Sequence, residues 1–401
     1  MRASMAILTT FLSSVTHAAF PMLSGTLDAI TGTSRNGIEQ SEFRLEPRVD
    51  WSWGSTHFTG KARLRADASG HLRTEAIDNA MRSTASSRME IGARGDLELR
   101  ELYADTTIGS AQIRLGKQQV VWGQADGLRV LDVINPLSYR EFLLGDFEDR
   151  RIPLWMLNAE IPIGDDMLQL IVVPDQTYDE LPSDGSTFRF AVLEGVDLDV
   201  DRPNDPLNDA DVGIRWSRFA GGWDVSLNYL YHYIDSPRLS FESLTRATAS
   251  YERAHLIGGT ASTAFGDFVL RAELGYADEV FDNTTATETH ELSGVIGLDY
   301  SGVSETFLSM QLFVADTDTD TARRATILAT RDVMNDALVL EALAIHDLSD
   351  GDGVVQLSAG YQLTSSAQLR VGADVFYGSA TDTFGQFDGE DRLTFGFELS
   401  F

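Results

Sequence analysis

Apolar residues recur at every second position through most of this chain, and the 3.6-residue helical period is nearly absent. In the last eleven residues, Leu393, Phe395, Phe397, Leu399 and Phe401 alternate with Arg392, Thr394, Gly396, Glu398 and Ser400. Trp223–Tyr233, Phe268–Tyr276, Ala367–Tyr377, Phe43–Trp53 and Phe58–Ala66 read the same way. A period of two means strands with one apolar and one polar face. Many of these segments run nine to twelve residues. A soluble sandwich strand usually has about 5–6, whereas a tilted strand crossing a bilayer needs about 9–11.

Eighteen such segments lie between 23–32 and 391–401. Their connections alternate in length. The long ones are 33–41, 68–95, 118–152, 174–210, 234–250, 278–288, 316–323, 347–352 and 378–390, and the others hold one to four residues. Long loops at one end and tight turns at the other are the mark of a membrane barrel, and a sandwich has no reason to produce them. The expected fold is all-β: a transmembrane antiparallel up-and-down barrel of about eighteen strands over 19–401. Segments 23–32, 166–173 and 324–332 are the weakest, and sixteen strands is the alternative. Trp51, Trp53, Trp216, Trp223, Tyr233, Tyr276, Tyr300 and Tyr377 fall near strand ends, where ring side chains favour the headgroup level.

The termini agree with this reading. Arg2, the apolar stretch Ala3–Val15 and the small residues Thr16 and Ala18 form a secretory signal pattern, expected to be cleaved after Ala18. Phe401, closing an alternating strand, resembles the signal read by the outer-membrane barrel assembly machinery. The expected location is the outer membrane of a Gram-negative bacterium, with lipid and lipopolysaccharide as surroundings. The pattern suits a monomer or a homotrimer equally.

Charge and composition exclude several activities. There are 61 acidic against 31 basic residues, a net charge of −30, so nucleic acid would be repelled. Zero cysteines exclude disulfides, thiolate metal sites and a cysteine nucleophile. No G-x-S-x-G or H-E-x-x-H occurs, so an enzyme is not expected. The acidic runs 197–211, 316–320 and 347–352 could take Ca²⁺ or Mg²⁺. None matches the twelve-residue calcium loop, so solvated loops are the plainer reading, with no cofactor and no metal site.

If the apolar faces meet lipid, their neighbours line the lumen. Over four adjacent strands these include Arg44, Arg48, Lys61, Arg63, Arg65, Arg100 and Arg114, with Glu46, Asp50 and Glu98 among them. Arg100 is the least secure, because the alternation breaks at Glu101 and Leu102. Such a wall could attract anions, or its charges could be paired with nearby acids and merely fill space. Segment 118–152 is too apolar for a solvated loop, so it should fold into the barrel mouth. It carries Trp122, Asp126, Arg129, Asp132, Asn135, Pro136, Glu141, Asp146, Glu148 and Asp149. An inward loop bearing acids, opposite arginines, is the constriction of a porin.

Two stretches, Trp122-Gly123-Gln124-Ala125-Asp126-Gly127-Leu128-Arg129-Val130-Leu131-Asp132-Val133-Ile134-Asn135-Pro136 and Asp146-Phe147-Glu148-Asp149-Arg150-Arg151-Ile152-Pro153-Leu154-Trp155, resemble those of a family of proteobacterial outer-membrane barrels, largely of unknown function. The resemblance covers roughly 110–163 and implies a barrel, but no solute. The expected function is passive diffusion of small polar or anionic solutes. The alternatives are a plugged structural or adhesin-type barrel and, less favoured, an outer-membrane hydrolase.

Overall fold

The computed structural model describes residues 21–401 except 36, 71–78, 93, 126 and 284. The expected signal peptide and Asp126 lie outside the described residues. Eighteen antiparallel strands close into one barrel. In chain order they are β1 Met22–Ser34, β2 Gly37–Trp53, β3 Thr56–Asp67, β4 Gly95–Ile108, β5 Ala111–Gln118 and β6 Leu154–Ile163. Then come β7 Asp166–Val173, β8 Asp211–Ala220, β9 Trp223–Tyr233, β10 Arg253–Phe265, β11 Phe268–Asp282 and β12 Thr287–Tyr300. The last six are β13 Thr306–Thr317, β14 Thr321–Val333, β15 Leu338–Asp347, β16 Gly353–Thr364, β17 Ala367–Tyr377 and β18 Arg392–Ser400. Each pairs with its sequence neighbours, and β18 closes on β1 from Thr26↔Ser400 to Thr33↔Leu393. Closure removes both sheet edges, so every strand finds partners on either side.

The faces follow the alternation. Leu393 and Phe395 of β18 are 52% and 54% exposed on the outside, while inward Thr326 of β14 is 2% exposed. The connections are less regular than the sequence pattern suggests. Three of the nine expected long ones are tight: 35–36, 283–286 and 318–320. Their flanking strands run past the apolar alternation into stretches holding polar residues such as Asp278, Glu279 and Asp282, and Thr287–Glu291. Backbone pairing needs only N–H and C=O groups, whereas alternation marks only the lipid-facing part of a strand.

The acidic run at 197–211 is not wholly a solvated loop. Asp197–Asp201 pairs in parallel with Arg246–Ser250, which pairs antiparallel with Arg238–Ser243. This small sheet packs Leu198, Ala247 and Ala249 against Met81 from the loop after β3 and against Leu181 and Leu193 from the same loop as Leu198. A second cluster joins Phe142 and Leu144 to Phe188, Phe384 and Phe387 and to the inward Ile345, Val354 and Phe376. The long-loop end of the barrel is thereby covered by packed loops.

Candidate functional site: the inward loop and the lumen

Segment 118–152 folds into the barrel, driven by its own apolar residues. Val120, Trp122, Leu128, Val130, Leu131 and Ile134 form one core with inward Leu230, Leu256, Val295 and Phe313. These wall residues are the exceptions to a polar lumen, and glycines beside them make room. A Cβ on Gly213 would stand 2.7 Å from Trp122 Cη2, and one on Gly275 would stand 3.1 Å from Val130 Cγ1. Trp122 is 1% exposed and donates its Nε1–H to Gln169 Oε1 at 2.8 Å. A buried indole needs such an acceptor.

Polar residues of the loop fix its course. Asn135 Oδ1 accepts from the Val120 amide at 2.8 Å, and its Nδ2 donates to the Ile152 carbonyl at 2.9 Å, tying the two ends together. The Pro136 carbonyl accepts from the Ile152 amide at 2.7 Å. Asp132 pairs with Arg151 at 2.6 Å. Arg129 donates to the carbonyls of Asp132 and Asn135 at 2.6 and 2.9 Å. Inward Glu273 of β11 accepts from the Gln124 and Ala125 amides. Trp122, Arg129, Asp132, Asn135 and Pro136 are therefore the loop's own scaffold.

The arginine-rich wall does not face the loop across open space; the loop is fastened to it. Asp149 pairs with Arg44 at 2.9 Å and Arg63 at 2.5 Å, and its carbonyl accepts from Arg100 at 3.2 Å. Glu141 pairs with Arg65 at 3.1 Å. Wall carboxylates take the remaining charge: Glu42 with Arg44 at 3.3 Å and Arg65 at 2.8 Å, Glu46 with Lys61 at 2.7 Å and with Arg63, Glu98 with Arg100 at 3.4 Å. Further along, Arg48 pairs with Asp50 at 2.7 Å and Arg114 with Asp105 at 2.7 Å. All seven proposed wall cations are thus ion-paired. Arg100 remains inward because the break in alternation is a β-bulge: Lys61 faces Glu101 and Ala62 faces Leu99, leaving Arg100 as the extra residue. Burial alone would raise the Asp149 carboxyl, but the guanidiniums of Arg63, Arg44 and Arg100 hold it down at about 2.

A cavity of about 500 Å³ remains in the lumen beside the loop. Among the described residues, eleven arginines and nine acids line it, a near balance inside a chain of net charge −30. Asp146 and Glu148 line the same cavity, are exposed and make no ion pair among the described residues. Inspection of the sequence missed a buried network at the long-loop end: Glu180 with Arg82 at 3.1 Å and with Arg88, and Asp96 with Arg140 at 2.8 Å. These residues come from three loops and one strand, and no local pattern signals their meeting. The carboxylates of the acidic runs are used locally. Asp347 pairs with Arg324 at 3.0 Å, and Asp352 Oδ2 accepts from the Phe384 and Gly385 amides at 2.6 and 3.2 Å. Among the described residues, no group of three or more histidines and acids is placed to hold a metal ion.

A closed eighteen-stranded barrel with an apolar outer face, a charged lumen and an inward loop has the architecture of an outer-membrane β-barrel. Residues 36–401 match the model of a family described as a protein of unknown function, DUF1302, and the chain belongs to that family. The fold is similar to that of OccK1 (OpdK) of Pseudomonas aeruginosa, at 10% identity and a TM-score of 0.53, covering 95% of this chain and 98% of that one. It is similar also to OpdK of the same organism in a structure with vanillate, at 10% identity, TM-score 0.54 and the same coverage. At this identity the likeness is one of fold. No curated protein matches the chain.

Proposed function

We propose that the protein is an outer-membrane channel for passive diffusion of small polar solutes. The observation that carries this reading is the charged cavity of about 500 Å³ between the fastened loop and the remaining wall, inside a barrel whose outer face is apolar. The apolar belt would sit in outer-membrane lipid, with lipopolysaccharide around the long loops. Phe401, whose amide and carbonyl pair with those of Gly25 at 3.0 and 2.9 Å, would be read by the assembly machinery. The reading needs no cofactor and no reacting group.

Purified protein in planar bilayers is expected to show discrete single-channel currents in salt. Silence, persisting after deletion of 122–150, would sink the channel reading. It would favour a plugged structural barrel, the alternative suggested by the packed loops over the long-loop end.

The paired arginines have a definite consequence for selectivity. Replacing Arg63 and Arg65 by Ser would leave Glu42, Glu46, Glu141 and Asp149 short of cations. Reversal potentials in a salt gradient are expected to move toward cation preference. An unchanged reversal potential would mean that this wall lies outside the conducting path.

A further inference from the structure

Among the described residues, ten of the eleven arginines lining the cavity are ion-paired, and Arg150 is the exception. Its Nε and Nη1 are buried and have no hydrogen-bond partner among the described residues. Its guanidinium lies over the Phe147 ring, 5.0 Å from the centroid. That ring contact replaces only part of the hydration a buried cation has lost, and a carboxylate would replace more. Burial, with Arg129 and Arg151 nearby, pulls Arg150 down to about 10, which leaves it charged at neutral pH.

The same cavity holds unpaired charges of opposite sign. Asp146, Glu148 and Glu341 line it and make no ion pair among the described residues. Asp146 is close enough to both Glu341 and Arg150 to interact electrostatically with each. Leu143, Leu328 and Leu343, all half-buried, line the cavity as well. A simple anion entering here meets the free carboxylates, and a simple cation meets Arg150. A solute carrying both charges satisfies both sets.

We propose that this cavity is a binding station for zwitterionic solutes of the amino-acid type. Arg150 takes the carboxylate, Asp146 and Glu341 take the ammonium, and Leu143, Leu328 and Leu343 meet the apolar body. The assignment rests on the channel reading and specifies its solute class.

The test is block of single-channel salt current at about pH 6, where both solute groups are ionised. Three probes of similar size are titrated: leucine, N-acetylleucine with the carboxylate alone, and leucinamide with the ammonium alone. Leucine is expected to block half the current at a concentration about tenfold below either analogue. Arg150→Gln should raise the leucine value about tenfold, to that of leucinamide. The double variant Asp146→Asn/Glu341→Gln should raise it to that of N-acetylleucine. Current with equal block by all three probes overturns the station while leaving the channel intact, as does a leucine advantage that survives Arg150→Gln. No current at all overturns the channel reading and the station with it.

Discussion

Trp122→Ala is expected to lower the unfolding free energy by about 3–5 kcal/mol and to loosen the inward loop. The indole is fully buried between the loop core and the barrel wall, and its Nε1–H has a single acceptor, Gln169. Removing it leaves a cavity in a place where a closed barrel has little freedom to collapse. The same socket can be disturbed from the other side. A Cβ at Gly213 would lie 2.7 Å from the indole and 3.0 Å from Leu230 Cδ1, so Gly213→Val should cost about 1–3 kcal/mol through overpacking. The two changes should be non-additive, because the valine fills space that the alanine vacates. Denaturant unfolding in detergent and protection of the 118–152 amides from hydrogen exchange measure both effects. A Trp122→Ala protein with the wild-type midpoint and wild-type protection would show that the loop does not depend on this socket.

The second large effect is expected at Asp149, the carboxylate that fastens the loop to the basic wall. Asp149→Asn keeps the shape but removes the negative charge shared by Arg44 and Arg63. A hydrogen bond to a charged group contributes about 1.5–3 kcal/mol, and at least two are weakened here. The loop tip should detach from the wall, giving higher conductance and more open-channel noise. Acid should do the same to the wild type. The Asp149 carboxyl is held down at about 2, below its ordinary range. Its contribution is therefore complete above roughly pH 4 and is lost as pH falls through about 2. Wild-type noise should rise in that window, while the Asn variant should be noisy on both sides of it. Identical traces for the two proteins at neutral pH would remove Asp149 from this role.

Much of the architecture was readable because a two-residue period is a local property. Each strand states which face meets lipid, and all eighteen stretches recognised in this way are barrel strands. The inward course of 118–152 was readable too, since a run holding Val120, Val130, Leu131 and Ile134 must be buried somewhere. The wall residues that receive it left a fainter signal. Leu230 sits between Tyr229 and Tyr231, and Phe313 between Leu312 and Val314, so both faces are apolar where the loop docks. The alternation suggested a basic wall on β2 to β5, but it could not give the pairing of those cations. Whether Arg63 is free or paired depends on Asp149, 86 residues away in sequence.

By itself the sequence determined a strand-built membrane barrel with an apolar exterior and a buried inward loop. These follow from the cost of exposing apolar groups to water or backbone groups to lipid, and both are decided residue by residue. Tertiary structure decided which charges remain available. Coulomb pairing depends on distances of a few ångströms between residues far apart in the chain. The loop pairs with Arg44 of β2 and with Arg63 and Arg65 of β3, and leaves Arg150, Asp146, Glu148 and Glu341 without an ion pair among the described residues.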